Sequence, residues 1–364
     1  LSAEDFRLIN PNTLTCPVFS SRMDAEITRK IYGRTPVFIL ESLDKKSECN
    51  PWNVSFSAMF HMSNDSHLFL TAADLPKEKD VRIGRDARAK SFNGYLPLYE
   101  AKMMTLYDHR FGSYPPGAID DTRALPRLSM EQYSDPCFEV NSRFFVTADD
   151  LRSHLGDYQK SWFICFRSMS NHSNIRRFIS GVVPLSALGN SLIMVKPGSA
   201  VSGKKIACLI GNLCSMVLDA IARWKVSGTN LNLFLVQQFP VLPPSSYSEE
   251  DELFIANRVL ELTYTTHSLK DFAEEIGFQG DPFGWNVARR SQLRAELDAW
   301  YAKAYGLTRD ELRYILDPAD VMGEGYPSET FRVLKNNEHA EFGEYRTQRL
   351  VLEAWDKLER GELH

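Results

Sequence analysis

Apolar residues at helical spacing, Ala207, Ile210, Leu213, Cys214, Val217, Leu218 and Ile221, predict one long helix from about Ser202 to Lys225 with a face that must pack on something. A shorter helix is predicted from about Arg22 to Tyr32, where Ile27 and Ile31 fall on one face. Around these lie short runs of aromatic and β-branched residues broken by Pro, Gly, Asn and Asp, which read as strands. They are Pro36 to Leu40, Trp52 to Phe56, Tyr95 to Tyr99, Phe138 to Val146, Trp162 to Arg167, Arg177 to Leu185 and Ser191 to Val195.

The character changes at Phe239-Pro240-Val241-Leu242-Pro243-Pro244, a run that continues neither a helix nor a central strand. Beyond it Ser248-Glu249-Glu250-Asp251 has the form of a capping box, so a helix of about five turns follows. Further helices are expected at Val287 to Tyr305, from the second capping box Thr308-Arg309-Asp310-Glu311 to Leu316, and at Gly343 to Arg360. The expected fold class is therefore α+β. A domain over residues 1–245 carries a mixed, partly antiparallel sheet with the long helix packed on it, and a helical domain covers 246–364.

Composition narrows the class. At 364 residues, 43% hydrophobic and 24% charged, the chain is long enough for two domains and is not disordered or collagen-like. No apolar run approaches the roughly 18 residues of a membrane span and the first residues form no secretory signal, so no membrane partner and a cytoplasmic setting are expected. The six cysteines contain no C-x-x-C pair and read as reduced thiols. The first residue is Leu1, so a trimmed piece of a longer protein is an expectation too.

The net charge of −5 conceals an asymmetry. Residues 141–225 hold eleven Lys/Arg against four Asp/Glu, whereas 226–364 hold fourteen against twenty-four. A basic middle within an acidic chain is the pattern of a phosphate-facing surface, and equally that of a solvated mixed-charge face.

Catalytic spacings are missing. There is no H-E-x-x-H, no G-x-x-x-x-G-K-[ST], no G-x-G-x-x-G between a strand and a helix, and no G-x-S-x-G. Asp135-Pro136-Cys137-Phe138 differs by one residue from the Asp/Asn-Pro-Pro-aromatic loop that methylates exocyclic amines. Without an upstream Gly-rich loop for S-adenosylmethionine it reads as an X-Pro turn, a degenerate methyltransferase being the other reading. No catalytic, cofactor-binding or metal-binding residue is assigned.

Three clusters carry recognition chemistry. Arg167, Asn171, Asn174, Arg176 and Arg177 are of the types that make bidentate contacts to guanine and adenine edges or meet phosphates; the alternative is a polar turn between strands. Arg223-Trp224-Lys225-Val226-Ser227-Gly228-Thr229-Asn230-Leu231-Asn232 closes the long helix, either as a C-terminal cap or as a loop presenting Lys225, Thr229, Asn230 and Asn232 to a backbone. The third, Leu96 to Lys102 with Tyr107-Asp108-His109-Arg110, offers Lys102, His109 and Arg110, or is simply a strand and a charged turn.

These stretches, in this order, resemble one family. With Asn10-Pro11-Asn12-Thr13, Pro17-Val18-Phe19, Asp24, Trp162 to Arg167, Gln238 to Pro244, Leu297-Asp298, Tyr305-Gly306-Leu307, Leu312 to Asp317 and Gly343-Glu344-Tyr345-Arg346, they are similar to the C-terminal part of large single-chain N6-adenine DNA methyltransferases of the Type IIG and Type IIL kind, found in restriction-modification and phage-defence systems. Ser227 to Pro244 is also similar to the close of recognition domains in Type I specificity subunits. The family usually has Gly where Ala101 stands, His where Asn230 stands, and an Arg-Thr pair near Arg176-Arg177. The resemblance implies a target recognition domain for double-stranded DNA, non-catalytic by itself. Its partner would be an N-terminal methyltransferase domain holding S-adenosylmethionine. Lys102, Arg176, Arg177 and Lys225 would sit mostly on phosphates, and loop Asn and Arg side chains on base edges. The rival reading is a protein-interaction scaffold of a defence complex.

Overall fold

The computed structural model describes residues 2–17, 19–41, 48–76, 94–122, 124–171 and 173–363. Val18 of the quoted Pro17-Val18-Phe19 stretch lies outside them. In chain order the elements open with α1 (Ala3–Ile9), α2 (Arg22–Tyr32), β1 (Ser55–Ser57), β2 (Tyr95–Tyr99), α3 (Met130–Ser134), β3 (Phe145–Thr147) and α4 (Ala148–Leu155). The middle contributes β4 (Trp162–Arg167), β5 (Ser180–Pro184), β6 (Ala187–Leu188), β7 (Leu192–Lys196), α5 (Gly203–Cys214), α6 (Met216–Lys225) and α7 (Leu233–Val236). The rest is helical: α8 (Glu249–Thr263), α9 (Lys270–Ile276), α10 (Val287–Ala304), α11 (Arg309–Leu316), α12 (Pro318–Met322), α13 (Arg332–Phe342) and α14 (Arg346–Glu359). The fold is α+β, with a helical C-terminal region.

Two sheets form where one was expected. An antiparallel sheet has the order β1-β7-β4-β5, and a mixed one the order β3-β2-β6, with β2 antiparallel to β3 and parallel to β6. The strand period of two sorts β4 between two cores. Trp162, Ile164 and Phe166 enter a core shared with the helices, while Phe163 and Cys165 enter a second one shared with Leu96, Leu98 and Val146 of the mixed sheet. Burial on both faces explains why Trp162-Phe163-Ile164-Cys165-Phe166 is apolar throughout.

The long helix is corrected to two. Ser215 caps α6 by accepting Leu218 N–H, and α5 and α6 meet at a bend of 49°. The bend is held from outside: Asp298 accepts Met216 N–H at 2.7 Å, and Asn212 bonds Leu242 N–H and Tyr305 Oη. Among the described residues no single helix is long and apolar enough to cross a membrane.

Other boundaries move. Pro36 to Leu40 makes only the isolated bridges Val37 to Pro240 and Leu40 to Cys49. Most of Phe138 to Val146 is irregular before β3, and Gly343, left-handed at φ 74°, ends α13 so that the last helix starts at Arg346. The capping boxes at Ser248 and Thr308 are both present, and α8 runs for fifteen residues. Packing crosses the Pro-rich run. Tyr301 Oη donates to Cys208 O at 2.6 Å and Tyr305 Oη to Pro240 O at 2.7 Å, and one apolar core takes in Ile210 and Val217 together with Leu297, Leu312 and Trp355.

Candidate nucleic-acid interface

The chain leaves β4 at Arg167 and returns as β5 at Ser180, while a second loop follows α6 at Lys225. The two loops are joined. Met169 and Asn230 form an antiparallel bridge, with Ser170 N–H donating to Thr229 O at 2.9 Å and Leu231 N–H to Ser168 O at 2.8 Å. Two of the clusters read from the sequence are thus one platform. Asn171, Ser173, Thr229, Asn230 and Asn232 are exposed on its rim, and Asn174 is half-buried with its amide on Ser170 Oγ. Large apolar side chains stand beside them: Met169 is 59% exposed, Phe234 47% and Ile175 44%.

The base of the platform is built by arginines. Arg177 is fully buried and donates to the carbonyls of Ser170, Val226 and Gly228, which draws both loops together. Arg223 pairs with Asp219 at 3.2 Å and donates to Asn174 O and Ile175 O. Lys225 Nζ points inward to Ile9 O (2.7 Å), Tyr32 Oη (2.8 Å) and Gln238 O (2.6 Å), and its burial lowers its pKa well below the usual lysine value. Charges removed from water need such acceptors. The phosphate role expected of Arg177 and Lys225 therefore does not carry into the structure, because both groups are spent on internal carbonyls.

The third cluster is internal as well. Arg110, completely buried, gathers the carbonyls of Gln132, Tyr133 and Asp135 at the end of α3, with Phe138 O and Thr265 O. The Asp135-Pro136-Cys137-Phe138 turn thus turns carbonyls onto Arg110, and Pro136 O accepts from His267 N–H at 3.0 Å. His109 is buried on Thr266 Oγ1 at 3.0 Å, and burial, then Arg110 and Arg290, push its pKa well below the usual imidazole value. Neither His109 nor Arg110 reaches a surface contact. Lys102 is half-buried between Asp121 and Glu100.

From the platform the surface falls into a cleft of about 450 Å³. Lys102, Arg167 and the loop Ser173–Arg176 form one wall, and residues of α10, α13 and α14 face them. Arg176 is buried there beside Asp298, at 3.6 Å, and Arg167 donates to Met104 O. Two further cations, Arg127 and Arg294, line the cleft and were not singled out in the sequence. Arg127 stands in an irregular stretch and Arg294 in the acidic segment, so neither left a local signal. Among the described residues no group of His, Cys, Asp and Glu comes together as a metal site. No family model and no curated protein matches this chain.

Proposed function

We propose that this chain is the sequence-specific DNA recognition portion of an S-adenosylmethionine-dependent adenine DNA methyltransferase in a restriction-modification or phage-defence system. Its partners are double-stranded DNA and a methyltransferase domain that supplies the cofactor. One observation carries the reading: two loops far apart in sequence are bridged at Met169 and Asn230 into one rim of exposed Asn, Thr and Ser side chains. Such side chains read base edges when the backbone beneath them is fixed, and Arg177 and Asp219 fix it here. The excess negative charge of the helical tail suits a protein partner better than DNA.

The test is fluorescence anisotropy of the 364-residue chain with mixed-sequence duplex DNA across a salt series, followed by selection of a preferred site. Binding that falls with log salt and favours one site supports the reading, and no binding at low salt removes it. A second reading is a protein-interaction scaffold, favoured by exposed Met169, Ile175 and Phe234 beside the rim. It predicts instead that Phe234→Ser abolishes a protein contact and leaves DNA affinity unchanged.

A further inference from the structure

Arg127 and Arg167 both lie over the Phe111 ring, with Cζ 3.1 and 5.6 Å from its centroid. Neither has a carboxylate within ion-pair distance among the described residues, and their bonds go only to the carbonyls of Phe111 and Met104. Arg294, on the α10 side, has no carboxylate within ion-pair distance among the described residues, feels Asp298 and Glu338 only at longer range, and donates to Ser291 Oγ at 3.5 Å. Arg176 completes the set, and its Nη1 is buried with no hydrogen-bond partner. The acids on the lining are Asp298 and Glu338, and Glu338 is already engaged by Thr347 N–H and Oγ1, each at 2.6 Å.

The guanidinium groups of Arg127 and Arg167, which share one ring, oppose one another. Burial first, then Arg127, presses the pKa of Arg167 down to about 10. An anion relieves the repulsion between Arg127 and Arg167, and phosphate matches the guanidinium fork. The cleft has the size of a small-molecule site, and Leu106, Ile175, Ile179 and Leu334 supply apolar wall between the cations.

We propose that this cleft binds an organic phosphate of mononucleotide size, with the phosphate among Arg127, Arg167, Arg176 and Arg294 and the apolar part against Leu106, Ile175 and Leu334. The site stands independently of DNA recognition. Ser173–Arg176 form both the cleft wall and part of the platform, so the two sites adjoin.

Calorimetric titration of the 364-residue chain with adenosine 5′-monophosphate, adenosine and inorganic phosphate tests this. The expected result is saturable monophosphate binding at least about tenfold tighter than either comparator, weakened by about tenfold or more in Arg127→Gln/Arg294→Gln and unchanged in Arg22→Gln. Both cleft substitutions fall on exposed side chains, and an unchanged thermal midpoint confirms that the double variant folds. No monophosphate binding, equal binding of adenosine or of inorganic phosphate, or indifference to the double substitution each overturns the proposal. Monophosphate binding in a chain that ignores DNA removes the recognition reading alone, and DNA binding without monophosphate binding removes this one alone.

Discussion

Asp219 Oδ1 accepts the backbone N–H groups of both Arg177 and Phe178, at 2.6 and 2.5 Å, so one carboxylate of α6 pins the point where the loop after β4 approaches β5. Its other oxygen takes Arg223 Nε at 3.2 Å. Asp219 is buried, and replacing it with Ala leaves two amides without an acceptor and Arg223 without its counter-ion. Breaking a buried pair in this way costs about 3–5 kcal/mol. Urea denaturation of Asp219→Ala should show that loss, and amide exchange should quicken through the Ser168–Arg176 loop before it quickens in β4. A loss under about 1 kcal/mol would mean that the loop is held elsewhere.

Lys225 separates a structural cation from a DNA contact. Its three acceptors are internal, so Lys225→Ala should lower stability by about 2–3 kcal/mol and leave the slope of log affinity against log salt unchanged. The pH dependence has a definite sign. Because burial lowers the folded pKa, the unfolded chain holds the Lys225 proton at pH values where the folded chain has released it, and stability rises with pH across that window up to the usual lysine pKa. The wild-type stability minus that of Lys225→Met should therefore grow on going from neutral pH towards pH about 10. A salt slope lowered by about one in Lys225→Ala would restore the phosphate role.

What was legible in the sequence was decided locally. β2, β4 and α2 run between the residues expected of them, and the capping boxes at Ser248 and Thr308 form, since aromatic and β-branched runs, 3.6-spaced apolar positions and caps act within a few residues. The break at Ser215 was not legible, because the apolar stripe of Leu213, Cys214, Val217 and Leu218 runs straight through it. Asp298 and Tyr305, some eighty to ninety residues away, hold the bend. The cations failed for a related reason. Arg110, Arg177 and Lys225 look in sequence like surface charges among polar neighbours, and only the fold reveals the carbonyls they gather. The joining of the two loops by Met169 and Asn230 was equally out of reach, whereas the residue types on the rim were readable.

On the recognition reading, Asn171 and Asn230 should affect choice of sequence and little else. Both are exposed, so Asn171→Ala and Asn230→Ala should each change stability by no more than about 0.5 kcal/mol. If either side chain reads a base, its loss should relax preference at one position of a selected site by about 1–3 kcal/mol with an unaltered salt slope. Site selection with randomised duplexes measures this directly. Uniform weakening at every position would place both side chains on the backbone instead.

Asp298 sets a second pH dependence, of opposite sign to that of Lys225. Burial raises its carboxyl pKa to about 6 against the opposing pull of Arg176. The folded chain then holds this proton more tightly than the unfolded one, so the stabilisation is full below pH about 4 and is lost as pH rises through about 6. Relative to Asp298→Asn, the wild type should lose about 2 kcal/mol between pH 4 and pH 7. Parallel stability curves for the two proteins would show that Asp298 titrates as an ordinary carboxyl.

Gly203 tests the packing of the helical region on the middle of the chain. It opens α5, and a Cβ there would lie 1.9 Å from Glu275 O at the end of α9. In an isolated helix Gly to Ala is stabilising, by about 0.8–1 kcal/mol in an interior position. Here the methyl group meets backbone, which has no rotamer to give, so α5 and α9 must separate and the apolar contacts behind them open. Overpacking of this kind costs about 1–3 kcal/mol, which reverses the sign expected from helix propensity. Thermal unfolding of Gly203→Ala should give a lowered midpoint and a single transition, because Ile206 and Leu209 of α5 share one core with Phe272 and Leu297. A raised midpoint would show that α5 and α9 are not pressed together in solution. Two separated transitions would show that the segments on either side of Pro243-Pro244 unfold independently.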